Sequence, residues 1–143
     1  MAQVGDTLPE VRRTITKVSL FLFGVAHWTA HRIHWDEEYA KAAGFRGPLV
    51  TANLLSAINA ELVTGWGGPG AQLRRLEERN VGPAVAGDTV VAKGMVTAVA
   101  PGAGGDRVTC ALEMSTADGV VIVKGEADVV LPAGPARSAI SGR

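Results

Sequence analysis

Most of the chemistry this sequence offers lies in one short stretch, His27-Trp28-Thr29-Ala30-His31-Arg32-Ile33-His34-Trp35-Asp36. All three histidines of the chain and two of its three tryptophans fall inside it. Histidine is the side chain whose ordinary pKa lets it take and give protons near neutrality. An apolar run rich in small residues follows from Pro48 to Val63. Proton carriers beside a buried-looking helix are what a small enzyme needs to set an acid or a base against an apolar substrate.

Each of these residues also has a structural reading. His34, before a tryptophan, is equally suited to bonding a backbone carbonyl, and His31 is open between the two roles. His27 closes a helical stretch and suits a C-terminal dipole partner or a surface position. The His27–His31–His34 spacing fits metal ligation on a helix. Gly24 weakens that helix, however, and Asp36 and Glu37 read as helix-start residues and not as supporting carboxylates. Neither a metal nor a cofactor is therefore expected.

The elements that must position these side chains can be read from pattern. Val11 to Thr16 alternates β-branched residues with arginines and predicts a short strand. Ser19 is a candidate cap for a short helix from Leu20 to His27. The histidine stretch reads as an irregular loop, and Asp36-Glu37-Glu38 as the start of a second helix that Gly44 ends. Pro48 is placed to open the longest helical pattern, Leu49 to Thr64. There Val50, Leu54, Ile58 and Leu62 recur every four residues, with alanines between, as in a helix enclosed by something else. Asn53 and Asn59 interrupt its apolar pattern, suited either to a pocket or to a backbone group. Gly65 to Gly70 terminates it. Ala71 to Asn80 reads as a strand or an exposed helix face. Thr89–Val99, Arg107–Ser115 and Val120–Leu131 read as strands, the last two joined by a hairpin at Asp118-Gly119. A long helix followed by antiparallel strands predicts an α+β domain with a sheet around the helix. Residues 1–132 form that domain, and 133–143 are small and polar, the expectation for a loose tail.

Composition narrows the functional classes. The 143 residues carry 14 basic and 14 acidic side chains, so no basic surplus points to nucleic acid. With 47% hydrophobic residues and no net charge, the chain is suited to association with itself or another chain. Cys110 is the single cysteine and sits in a strand-like run, the expectation for a buried inert thiol. The N-terminal residues lack the pattern of a secretory signal, and the apolar Val18–Ala26 is too short to span a bilayer. A soluble, cytoplasmic protein without membrane partners is expected.

Taken together, the motifs resemble the MaoC-like (R)-specific enoyl-CoA hydratases, which have the hot-dog fold. The family motif is Asp-x-Asn-Pro-(Ile/Leu)-His, and Ile33-His34 match its end. Asp36 and Tyr39-Ala40 match the segment after it, Gly44 and Pro48 the turn, and Leu54-Leu55 the central helix. Pro83-x-x-x-Gly87-Asp88-Thr89 resembles the family's strand entry, so the resemblance covers residues 5–131. The departures are local. Thr29 stands where the family has its catalytic aspartate, His31-Arg32 replaces Asn-Pro, and Thr51-Ala52 replaces the usual His-Gly.

The resemblance implies a chemistry. Hydrating a trans-2-enoyl thioester needs a base for water, an acid for the α-carbon and donors for the developing enolate oxygen. It implies His34 as the proton carrier, with His31 able to substitute or assist, and the Ala52 amide as oxyanion donor. Thr29 can hydrogen-bond a water but cannot ionise. Arg32 could meet a substrate carboxylate, a CoA phosphate or only solvent, and Asn53 could face the substrate. The substrate class implied is a CoA- or carrier-linked acyl thioester, and the implied assembly is a homodimer or a heterodimer with another hot-dog chain. Because of Thr29, a second reading stands beside hydration and dehydration: a binding subunit paired with a catalytic chain, or a repurposed cyclase or isomerase. A thioesterase would need a carboxylate on the long helix. Glu61, near its end, is the one available.

Overall fold

The computed structural model describes residues 1–132; the stretch 133–143, expected to be a loose tail, lies outside the described residues. In chain order come strand β1 (Thr7–Thr14), helix α1 (Lys17–Ala26), a single 3-10 turn (Arg32–His34), and helices α2 (Glu37–Ala42) and α3 (Ala52–Gly67). Strands β2 (Gln72–Asn80), β3 (Thr89–Ala100), β4 (Asp106–Thr116) and β5 (Val121–Leu131) follow. The strands form one antiparallel sheet in the order β1-β3-β4-β5-β2.

Helix α3 lies across this sheet, packed on β1, β2, β3 and β5. It buries Leu55, Ile58, Leu62 and Val63 against inward residues of the strands, among them Val90, Val96, Val108, Met114, Ile122 and Val129. The side of α3 carrying Asn53, Ala57 and Glu61 faces outward. Cys110 belongs to the core, where burial pushes its thiol up to about 11. The run after Ala71 is a strand. Leu73 and Leu76 lean on the core, while Arg75 crosses to Asp128 at 2.8 Å and also pairs with Glu77 and Glu126. Those carboxylates hold the guanidinium firmly protonated, and Arg75 in turn holds Asp128 below the usual carboxylate range.

Several boundaries differ from the sequence expectations, each for a local reason. Ser19 is not the cap of α1. Thr16 is, with its side chain accepting from the Ser19 amide, and the Ser19 hydroxyl closes a reciprocal capping box. Pro48 does not open α3, because the segment 48–50 is held extended against 84–86. The Ala86 amide donates to Pro48 O at 2.8 Å, and the Val50 amide to Ala84 O at 2.8 Å. Thr51 then caps the helix through its hydroxyl, 3.2 Å from the Leu54 amide. The helix continues past Gly65 to Gly67, and Gly68 ends it at φ 73°, a conformation open to glycine. No helix of the described residues is long and apolar enough to cross a membrane.

Candidate active site

The loop between α1 and α2 is built from backbone bonds. Helix α1 ends in a Schellman arrangement: the Thr29 amide donates to Gly24 O at 2.8 Å, and the Trp28 amide to Val25 O at 3.4 Å. Trp28 takes the left-handed position, φ 59°, that glycine usually fills. Gly24, unfavourable as a helix former, is explained here. A Cβ at that position would stand 3.2 Å from the Thr29 carbonyl oxygen, tighter than most contacts. The chain therefore folds Thr29 down over Gly24, half-buried, and its hydroxyl bonds to no group among the described residues.

His34 sits at the end of the 3-10 turn and is half-buried. Two bonds tie this turn to the segment leading into α3: the Leu49 amide donates to Ile33 O at 2.9 Å, and His34 Nδ1 lies 2.7 Å from Leu49 O. A carbonyl oxygen can only accept, so the proton of the neutral ring is on Nδ1 and Nε2 carries the lone pair. The structural reading of His34, a ring bonded to a carbonyl, is thus met at one nitrogen while the other stays available. The ring also lines a cavity of about 320 Å³ shared with Lys17, Val18, Phe21, Trp35 and Pro48.

Leu49 stands three residues before Ala52, so the anchor of the imidazole and the first turn of α3 are one continuous segment. The Ala52 and Asn53 amides donate to no protein group among the described residues, as first-turn amides of a helix commonly do not. They carry the positive end of the helix dipole.

The other sequence candidates sit as follows. His31 caps the 3-10 turn, with Nδ1 accepting from the Ile33 amide at 3.2 Å, and its exposed ring meets His34 edge-on at 6.2 Å between centroids. Arg32 is turned back on its own segment. It pairs with Asp36 at 2.6 Å, lies over the Tyr39 ring, and helps hold Asp36 below the usual carboxylate range, behind the Tyr39 amide in that effect. His27 is stacked on Phe23, and its Nδ1 lies 3.3 Å from the side-chain Nδ2 of Asn53, so the loop's first histidine is joined to the start of α3. Neither the Leu49 anchor nor this His27–Asn53 link leaves a trace in residue spacing. Asn59 is buried and donates to Glu78 on β2, with its Oδ1 unpaired among the described residues. Glu61 is paired with Arg13 at the surface. Among the described residues, no three potential metal ligands converge.

The cavity wall supplied by α1 was not legible as such, although the uniform apolarity of that helix was a signal. Lys17, at its start, pairs with Glu37, which also binds Lys41, and these two ammonium groups draw the Glu37 carboxyl down to about 2.

Comparison with known proteins identifies the family. The family model described as "MaoC like domain" matches residues 2–117. An (R)-specific enoyl-CoA hydratase of Rhodospirillum rubrum is 33% identical over 125 residues, covering 85% of this chain and 83% of the relative. The 3-oxo-4,17-pregnadiene-20-carboxyl-CoA hydratase beta subunit of Mycobacterium tuberculosis is 30% identical over 128 residues, covering 82% of this chain and 99% of the relative. Among solved structures, a chain of the ChsH1-ChsH2 complex from Mycobacterium tuberculosis superposes with a TM-score of 0.83 at 26% identity, covering 92% of this chain and 99% of that one. The α+β architecture is the hot-dog fold, and the chain belongs to the MaoC-like domain family.

Proposed function

We propose that the chain acts in the hydration or dehydration of an acyl thioester at its 2,3-position, with His34 as the proton carrier. The observation that supports this best is the state of the His34 ring: Nδ1 is spent on Leu49 O, leaving Nε2 as a base beside a cavity. In the hydration direction, Nε2 takes one proton from water as the water oxygen bonds to Cβ of the enoyl group. The π electrons shift toward the thioester oxygen, and the Ala52 amide holds the enolate that forms. The imidazolium then returns its proton to Cα, so one water is added and the histidine is regenerated. Thr29 orients the water without ionising, and His31, 6.2 Å away, is the second ring able to accept or supply a proton. Asn53 borders the acyl thioester from the start of α3, whereas Arg32, held on Asp36 and the Tyr39 ring, would have to leave that pair to meet a substrate carboxylate or phosphate. The substrate carrier is CoA or an acyl carrier, and the working assembly is a dimer with itself or another hot-dog chain.

A second reading is supported by Thr29 and by a relative that is a beta subunit: a non-hydrating partner of a catalytic chain. The purified chain incubated with a panel of enoyl-CoA and 3-hydroxyacyl thioesters, followed by mass spectrometry, separates the two. Gain or loss of one water by any thioester supports the first reading. No conversion until a partner carrying the intact Asp-x-x-x-x-His motif is added supports the second.

A further inference from the structure

Helix α1 is apolar almost all the way round; beyond Lys17 its one polar side chain is Ser19. Leu20 fastens it to the core. On the other side Val18, Phe21, Leu22 and Val25 recur at i, i+3, i+4 and i+7 with 66, 60, 61 and 56% of their surface exposed. An all-round apolar helix is ordinarily covered, and a contiguous exposed apolar strip marks a binding surface. At 1.5 Å rise per residue the strip is roughly 10 Å long.

Its position says what covers it. Val18 and Phe21, the N-terminal end of the strip, line the same cavity as His34. The cavity itself, about 320 Å³, is at the small end of the roughly 300–1,000 Å³ usual for ligand sites, and it shares Val18 and Phe21 with the strip. Lys17, the cation at this end, is already neutralised by Glu37, so the surface favours an uncharged occupant. Beyond Val25 the strip leads toward Trp28, 91% exposed and held at a positive φ.

We infer that the outward face of α1 is an acyl-chain subsite, continuous with the His34 cavity, that selects thioesters of long apolar acyl groups over short ones. The reacting carbons occupy the cavity, and the carbons beyond them lie along Phe21, Leu22 and Val25. This rests on the thioester reading of the cavity proposed above, and the test separates the two.

Titration calorimetry measures binding of dodecanoyl-CoA and butanoyl-CoA, which are saturated and do not react, to the wild-type chain and to Phe21→Ser and Leu22→Ser. Hydration of the corresponding 2-enoyl-CoA esters is followed in parallel. Both side chains are mostly exposed, so the variants keep the core, which a melting curve checks. The expected result is a wild-type preference for dodecanoyl-CoA that falls roughly tenfold in each variant. An unchanged preference overturns the subsite. So does sedimentation showing a wild-type oligomer that Leu22→Ser dissociates, because the strip then belongs to a protein contact. Tight, chain-length-dependent binding without hydration of either ester refutes His34 catalysis and leaves the subsite standing.

Discussion

At the scale of single residues, the nitrogen each histidine commits decides what its ring can do. His34 gives Nδ1 to a carbonyl, whereas His31 accepts at Nδ1 from an amide, so neighbouring rings of one type present different chemistry. Thr29 is the departure from the family motif that removes an ionisable group; His31-Arg32 in place of Asn-Pro is the other within this loop. Thr29→Asp restores an ionisable group over Gly24 and is predicted to raise the hydration rate at least roughly tenfold, the lower part of what a positioned acid or base contributes. An unchanged rate in a folded variant would show that this position does not address the water. Away from the site, Cys110 is predicted to resist thiol reagents in the native state and to react once denaturant is added, since burial raises its pKa to about 11. Rapid native labelling would contradict its placement in the core. The family pattern and the buried thiol were legible in sequence because residue identity carries them. The Leu49 anchor was not, since a backbone carbonyl has no identity to read. His27 also showed only its helix-end role; its bond to Asn53 depends on how the loop closes.

At the scale of elements, two short helices and the 3-10 turn are held by caps and ion pairs more than by core packing. Thr51 closes α3 beside the proposed oxyanion amide, so Thr51→Ala is predicted to cost about 1 kcal/mol of stability, read from chemical denaturation. A neutral substitution would mean that the cap bond does not form. The Lys17–Glu37 pair ties α1 to α2, and its contribution depends on pH with a definite sign. The folded-state pKa of Glu37 is lowered from 4.5 to about 2, so its stabilisation is complete above the unfolded value and disappears as pH falls through the folded one. The Tm difference between wild type and Glu37→Gln is predicted to be largest near neutrality and to vanish toward pH 2. A difference independent of pH would contradict the pairing. Helix existence and order were readable from the apolar period. Boundaries were less so, because the bonds from 48–50 to 84–86 are long-range and override the helix-opening tendency of Pro48.

At the scale of the whole molecule, a hot-dog sheet carries α3 across it, His34 is anchored to the segment that leads into α3, and α1 shares a cavity with His34. The strands and their antiparallel order follow from alternating β-branched runs and the Asp118-Gly119 turn, which is why the α+β class could be read directly. What covers α1 could not be, because that depends on a second molecule. The sheet leaves β1 and β2 as edges, and relatives include a hydratase beta subunit. Sedimentation of the 14.8 kDa chain is predicted to show a dimer, alone or with a second hot-dog chain. A monomer that hydrates thioesters at full rate would exclude any need for assembly.

The most direct test of the central claim is the hydration rate of an enoyl-CoA by the purified chain and by His34→Ala, read as loss of the conjugated enoyl absorbance. The account predicts turnover by the wild type and a fall of at least roughly a hundredfold in kcat for the variant, with the fold retained. Equal rates in the two proteins would contradict it.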